Sequence, residues 1–261
     1  MIMRPELQHH SFFHTIQELI NYYDSLSFGI MTFVDSPVLE LVNLDTYIIE
    51  SLKSCLESIA SIVEIGHIND AYALLRKYYD GFIINIFERI KIYELEDSFE
   101  FMSKIIDDWV KGRQKLPSYK IMLKEVMSCS KIGDYINDHW LKEKLLKIRK
   151  RCDDHVHSNI FSYMQLNNEV VSISNEEEIL TLLERDIDTI FCSHFLMLFS
   201  FAPHYMISSD YIDYLEFGMR PPEGSEYEIA PFIQSCFSEK IQNWNFTLAS
   251  IFKEKCVMKI K

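Results

Sequence analysis

Glycine and proline are scarce, with seven of each in 261 residues, under half the roughly 12% that globular chains carry. Sandwiches, barrels and Rossmann sheets need many tight turns, so the scarcity points to long helices with few connections. Positive charge is also short. Lys and Arg number 26 against 39 Asp and Glu, a net charge of −13. Such a surface repels phosphate backbones and anionic membranes, which excludes indiscriminate nucleic-acid binding. The cysteines, Cys55, Cys129, Cys152, Cys192, Cys236 and Cys256, form no CxxC and no metal-ligand spacing. Reduced thiols and a cytoplasmic location are therefore expected. Met1 to Ser11 lacks the apolar core of a signal peptide. Glycine-rich phosphate loops, a GxSxG elbow and HExxH are absent too, so no cofactor and no metal are expected.

What is present is apolar. Hydrophobic residues make up 48% and aromatics 13%, enough for a sizeable core and too much for disorder. The run from Ile190 to Ile207 reads IFCSHFLMLFSFAPHYMI. It contains His194, Pro203 and His204 and has no basic flank, so it reads as a buried core helix and not a membrane span.

Helical spacing appears from residue 8 onward, with Phe12, Ile16, Ile20 and Tyr23 on one face. Gly29 and Pro37 bracket a loop, and Ser36-Pro37 suits a helix start. A long helix to about Ile65 ends at Gly66, and Asn69 is placed to cap the next. That helix carries Ala71, Leu74, Leu75, Tyr78 and Phe82 on a stripe, and the short link makes an αα-hairpin. Further helices cover 97–111 and the charged segment 138–154. Phe161–Leu166 and Glu169–Ile173 flank Asn167-Asn168, which reads as a small β-hairpin over 161–173. Ser174 and Glu176–Glu178 open another long helix to about Ala202. The expected fold class is an all-α helical bundle with that one hairpin, in a single domain spanning 1–261.

The segment Leu141–Asn159 reads LKEKLLKIRKRCDDHVHSN. Lys142, Lys144, Lys147, Arg149, Lys150 and Arg151 make a basic patch out of character with an acidic chain. Leu141, Leu145, Ile148 and Cys152 form the stripe that faces the core. One reading is a solvated amphipathic helix whose C-terminal end favours cations. The other starts from Asp153, Asp154, His155 and His157, which follow directly. Guanidinium groups fork onto phosphate, and an imidazole near carboxylates moves protons near neutral pH. That combination suits metal-free RNA cleavage by the neighbouring 2′-hydroxyl. Carboxylate and imidazole ligands also suit Zn or Mn, but the adjacent arginines repel a dication.

Ala71–Ile83, AYALLRKYYDGFI, and the closing DDHVHSN together resemble elements of the HEPN superfamily over roughly residues 40–160. The superfamily places an arginine ahead of a histidine with four to six residues between them. Both Arg151-x5-His157 and Arg149-x5-His155 fit. In many active members a polar Asn, Asp or His follows the arginine directly, whereas here Cys152 follows Arg151 and Lys150 follows Arg149. The resemblance implies a helical core at roughly 37–160 and says nothing of the chain beyond the hairpin, where the residue pattern alone makes 174–261 a C-terminal helical extension. It also implies a homodimer with facing Arg–His pairs, and metal-independent ribonuclease activity in toxin–antitoxin or anti-phage systems. Carried over, Arg151 polarises the scissile phosphate and His157 is the general acid or base. Arg149 and His155 are the fallback pair, with Asp154 in support and Lys144 and Lys147 as phosphate-binding lysines. Arg76 and Asp80 either support the site or form an i,i+4 pair. Three functions remain open: an endoribonuclease acting on RNA, a non-catalytic adaptor or antitoxin-like subunit with a protein partner, and a helical enzyme using the acidic–histidine cluster.

Overall fold

A computed structural model of the chain describes residues 9–32, 39–95, 103–136, 139–167 and 176–261. Its helices are α1 (Ser11–Thr32), α2 (Leu39–Glu64), α3 (Ile68–Tyr93), α4 (Lys104–Val110), α5 (Tyr119–Ser128), α6 (Gly133–Ile136) and α7 (His139–Val156). There follow α8 (Phe161–Gln165), α9 (Glu176–Phe201), α10 (Ser209–Glu216), α11 (Pro231–Cys236), α12 (Gln242–Trp244) and α13 (Phe246–Lys255). A π-helical turn at Phe237–Ile241 joins α11 to α12. Among the described residues the one β pairing is an isolated antiparallel bridge between Ile207 and Ile229. The all-α class therefore holds.

The expected hairpin does not. Phe161–Gln165 forms a single helical turn, and residues 168–173 lie outside those described. Gly29, expected in a loop, continues α1 instead. Its helical cost of about 1 kcal/mol is opposed by burial of Leu26 and Ile30 on either side. The Ser36-Pro37 start also lies outside the described residues.

Gly66 ends α2 as its spacing suggests. Its φ is +85°, and its N–H bonds the Val63 carbonyl while that of His67 bonds Ile62. Those two bonds make a Schellman cap, which turns the chain straight back into α3. His67, not Asn69, precedes the first helical residue of α3. Where α3 lies on α2, Gly81 leaves room for the Leu52 side chain. A Cβ there sits 2.8 Å from Leu52 Cδ2.

On α3 the stripe Ala71, Leu75, Tyr78 and Phe82 is buried, with Leu74 at its margin. Helix α9 packs against α1, α3, α7 and α13. Its residues Thr189–Phe199 are buried on every side, as a helix without a polar face requires. Among the described residues, no helix is long and apolar enough to cross a membrane.

Candidate functional site

Helix α7 buries Leu141, Leu145, Ile148 and Cys152, the stripe its sequence spacing defines, and the stripe runs on to His155. That burial wedges α7 between α3 and α9 and aims its two arginines in opposite directions.

Arg149 turns toward α3. It donates to the Asp80 carboxylate, lies 3.4 Å from Asp153 Oδ1 and stacks its guanidinium 4.0 Å over the Tyr119 ring. Arg76 reaches the same Asp153 oxygen at 3.2 Å. Arg76, Asp153, Arg149 and Asp80 thus alternate in sign across the α3–α7 contact. Asp80 and Arg76 therefore pair with residues of α7. Arg151 turns the other way. Its Nε and Nη2 donate to both oxygens of Asp186 on α9, at 2.7 and 3.0 Å. Burial opposes the Arg151 charge, but the carboxylate outweighs it and raises the guanidinium pKa. Cys152, between them, is fully buried, and burial pushes its thiol up to about 12.

His155 is sealed between two tyrosines. The Tyr72 ring stacks at 3.9 Å and 8°, and Tyr163 on α8 at 3.8 Å and 5°. Asn69 Oδ1 lies 2.8 Å from Nδ1, so an amide oxygen that only accepts places the imidazole proton on Nδ1. Burial, aided by the Arg151 charge, lowers the His155 pKa to about 4. At neutral pH this ring is uncharged.

His157 lies past the last residue of α7 and is exposed. Its N–H bonds the Asp153 carbonyl, and Asp154 accepts from Asn159 Nδ2 at 2.8 Å. Lys144 and Lys147 are exposed on the outer face of α7. Lys144 rests 4.3 Å over the Trp140 ring, and Lys147 lies 3.2 Å from Glu143. The fold therefore gathers Arg76, Asp80, Arg149 and Asp153, draws Arg151 to α9, and leaves His157 and the lysines facing water.

A second polar cluster escaped the motif reading. Asp45, Asn85, Glu88, Arg89, His194 and Tyr205 are all buried. Asp45 accepts from Asn85 Nδ2 at 2.8 Å, from Tyr205 and from Arg89. Arg89 also forks onto Glu88 at 2.7 Å to each oxygen. Asn85 Oδ1 is 2.8 Å from His194 Nε2, whose Nδ1 is 2.9 Å from the Tyr23 hydroxyl, itself 2.9 Å from that of Tyr78. Because Asn85 Oδ1 only accepts, His194 donates from Nε2, Tyr23 donates to Nδ1 and Tyr78 donates to Tyr23. The chain is satisfied end to end. Burial, with Asp45 beside it, pushes Glu88 up to about 8. His194 falls to about 3 through burial. A lone acid on an apolar stripe, such as Asp186 beside Leu183 and Ile187, is the sequence signal for such partners. Asp45 gives none.

No protein-family model, curated protein or solved structure matches this chain.

Proposed function

We propose that this chain is a non-catalytic helical adaptor of HEPN-like build, which works by holding a protein partner. One observation carries the reading. Each arginine of the Arg–His segment ends on a carboxylate of the bundle, and the histidine beside them is stacked, buried and neutral. A phosphate reaching Arg151 must displace a two-pronged carboxylate. An imidazole with a pKa near 4 holds little of the acid form that leaving-group protonation needs at pH 7. The segment thereby serves as the fastening of α7 between α3 and α9. Beside it the molecule exposes Phe161 and Met164, at 73% and 57%, with Val156 and Ile160. Apolar side chains gathered at one corner suit a protein contact. A subunit of a toxin–antitoxin or defence complex is the partner class that fits the resemblance.

The ribonuclease reading keeps one observation of its own. His157 is exposed just past the end of the helix that carries the exposed Lys144, Lys147 and Lys150, a position from which a general acid meets RNA. Incubating the purified chain with single-stranded RNA in EDTA separates the two. The adaptor leaves the RNA intact. Products with cyclic-phosphate ends that disappear in folded Arg151→Ala and His157→Ala variants overturn it in favour of the nuclease.

A further inference from the structure

A groove of about 390 Å³ opens between α1, α11 and the π-helical turn. Its volume falls in the range of small-molecule sites. The floor is aromatic. Tyr22 meets Phe191 edge-on at 5.1 Å and 84°, and Phe232 at 5.6 Å and 58°. The rim carries two carboxylates, Glu18 and Glu239. Ser235 Oγ donates to Glu239 Oε1 at 2.9 Å and orients it. Lys240, the one cation in the lining, is held by Asp188 at 2.8 Å, so its charge is spent inside the fold.

Two further features mark the groove as built for an occupant. The Tyr22 hydroxyl is buried and has no hydrogen-bond partner among the described residues, although a buried phenol ordinarily finds one. The π-helical turn, a form that recurs at functional sites, brings Glu239 and Lys240 to the groove.

We propose that this groove binds a small organic cation with an aromatic or aliphatic body, its charge between Glu18 and Glu239 and its body on the Tyr22–Phe191–Phe232 floor. Ring faces attract cations, and the two carboxylates repel anions. No residue of α7 lines the groove, so the proposal stands apart from the adaptor reading.

Calorimetric titration of the full chain at pH 7 tests it with three probes of one shape: 2-phenylethylammonium, 2-phenylethanol and 3-phenylpropanoate. The cation binds saturably and at least about tenfold tighter than the other two. Glu239→Gln and Phe232→Ala each weaken the cation by a similar factor, with unchanged circular dichroism. Lys147→Ala, on α7, leaves binding as it was. Equal binding of cation and alcohol, no saturable binding at millimolar probe, or binding indifferent to both groove variants overturns the proposal.

Discussion

A histidine that folding strips of its charge becomes an acid-sensitive joint. His155 and His194 have folded pKa values of about 4 and about 3, against 6.5 when free. Below pH 6.5 the unfolded chain takes up protons that the folded chain refuses. Their contribution is complete above 6.5 and is lost as pH falls toward 4. Glu88 runs the other way, at about 8 folded against 4.5 free. The folded chain holds a proton that the unfolded chain has released. That contribution is complete below 4.5 and is lost as pH rises through 8. Taken by themselves, these three groups raise the melting temperature from pH 4 to about 6.5 and lower it again toward pH 9. His155→Phe, which keeps a stacked ring, flattens the acid limb, and Glu88→Gln flattens the alkaline one. Melting curves at pH 5, 7 and 9 that match wild type in both variants refute this. The Arg151–Asp186 pair gives a second test at the same scale. Arg151→Ala leaves a buried carboxylate unpaired and costs about 3 kcal/mol. Adding Asp186→Leu recovers most of it, as read from urea unfolding. A double variant no better than the single shows the pair to be inert.

Helices in this chain were legible wherever their signals were local. Gly66 announced the end of α2, and the α7 stripe Leu141, Leu145, Ile148 and Cys152 is buried as its spacing requires. The apolar run of α9 is likewise enclosed. Residues 161–165 misled because five residues are too few to show a helical period, while Asn167-Asn168 mimics a hairpin turn. Asn69 suits a cap by type, but its side chain is taken by His155, 86 residues away. Asp186 and His194 draw their roles from partners 35 and 109 residues distant, and no spacing rule reaches that far. Gly81 is the element-scale feature open to a direct trial. Ala raises helix propensity by about 1 kcal/mol but sets a methyl 2.8 Å from Leu52 Cδ2 in a packed seam. Overpacking costs about 1–3 kcal/mol, so Gly81→Ala lowers stability on balance. Leu52→Ala destabilises the Gly81→Ala background less than it does wild type. Strict additivity in that cycle refutes the close approach.

At the scale of the whole molecule, the neutralised arginines remove an obstacle to self-pairing. Asp80, Asp153 and Asp186 offset Arg149 and Arg151 inside each chain, so two α7–α8 corners meet without bare guanidinium groups opposed. The prediction at this scale is a homodimer through the exposed Phe161 and Met164, which Phe161→Asp converts to a monomer in light scattering. A wild-type monomer at micromolar concentration discards the pairing. The placement of α9 has a consequence of another kind. His10 lies within hydrogen-bond reach of Thr181, while Ser11 and Thr15 donate to Glu184, and His194 completes the chain that starts at Asp45. The first three helices thus wait for a strut encoded about 100 residues later, roughly 5–20 s of synthesis at ordinary rates. During that interval the nascent chain displays the apolar flank that α9 will cover. A factor that shields that flank on the ribosome is therefore expected to raise the yield of folded chain.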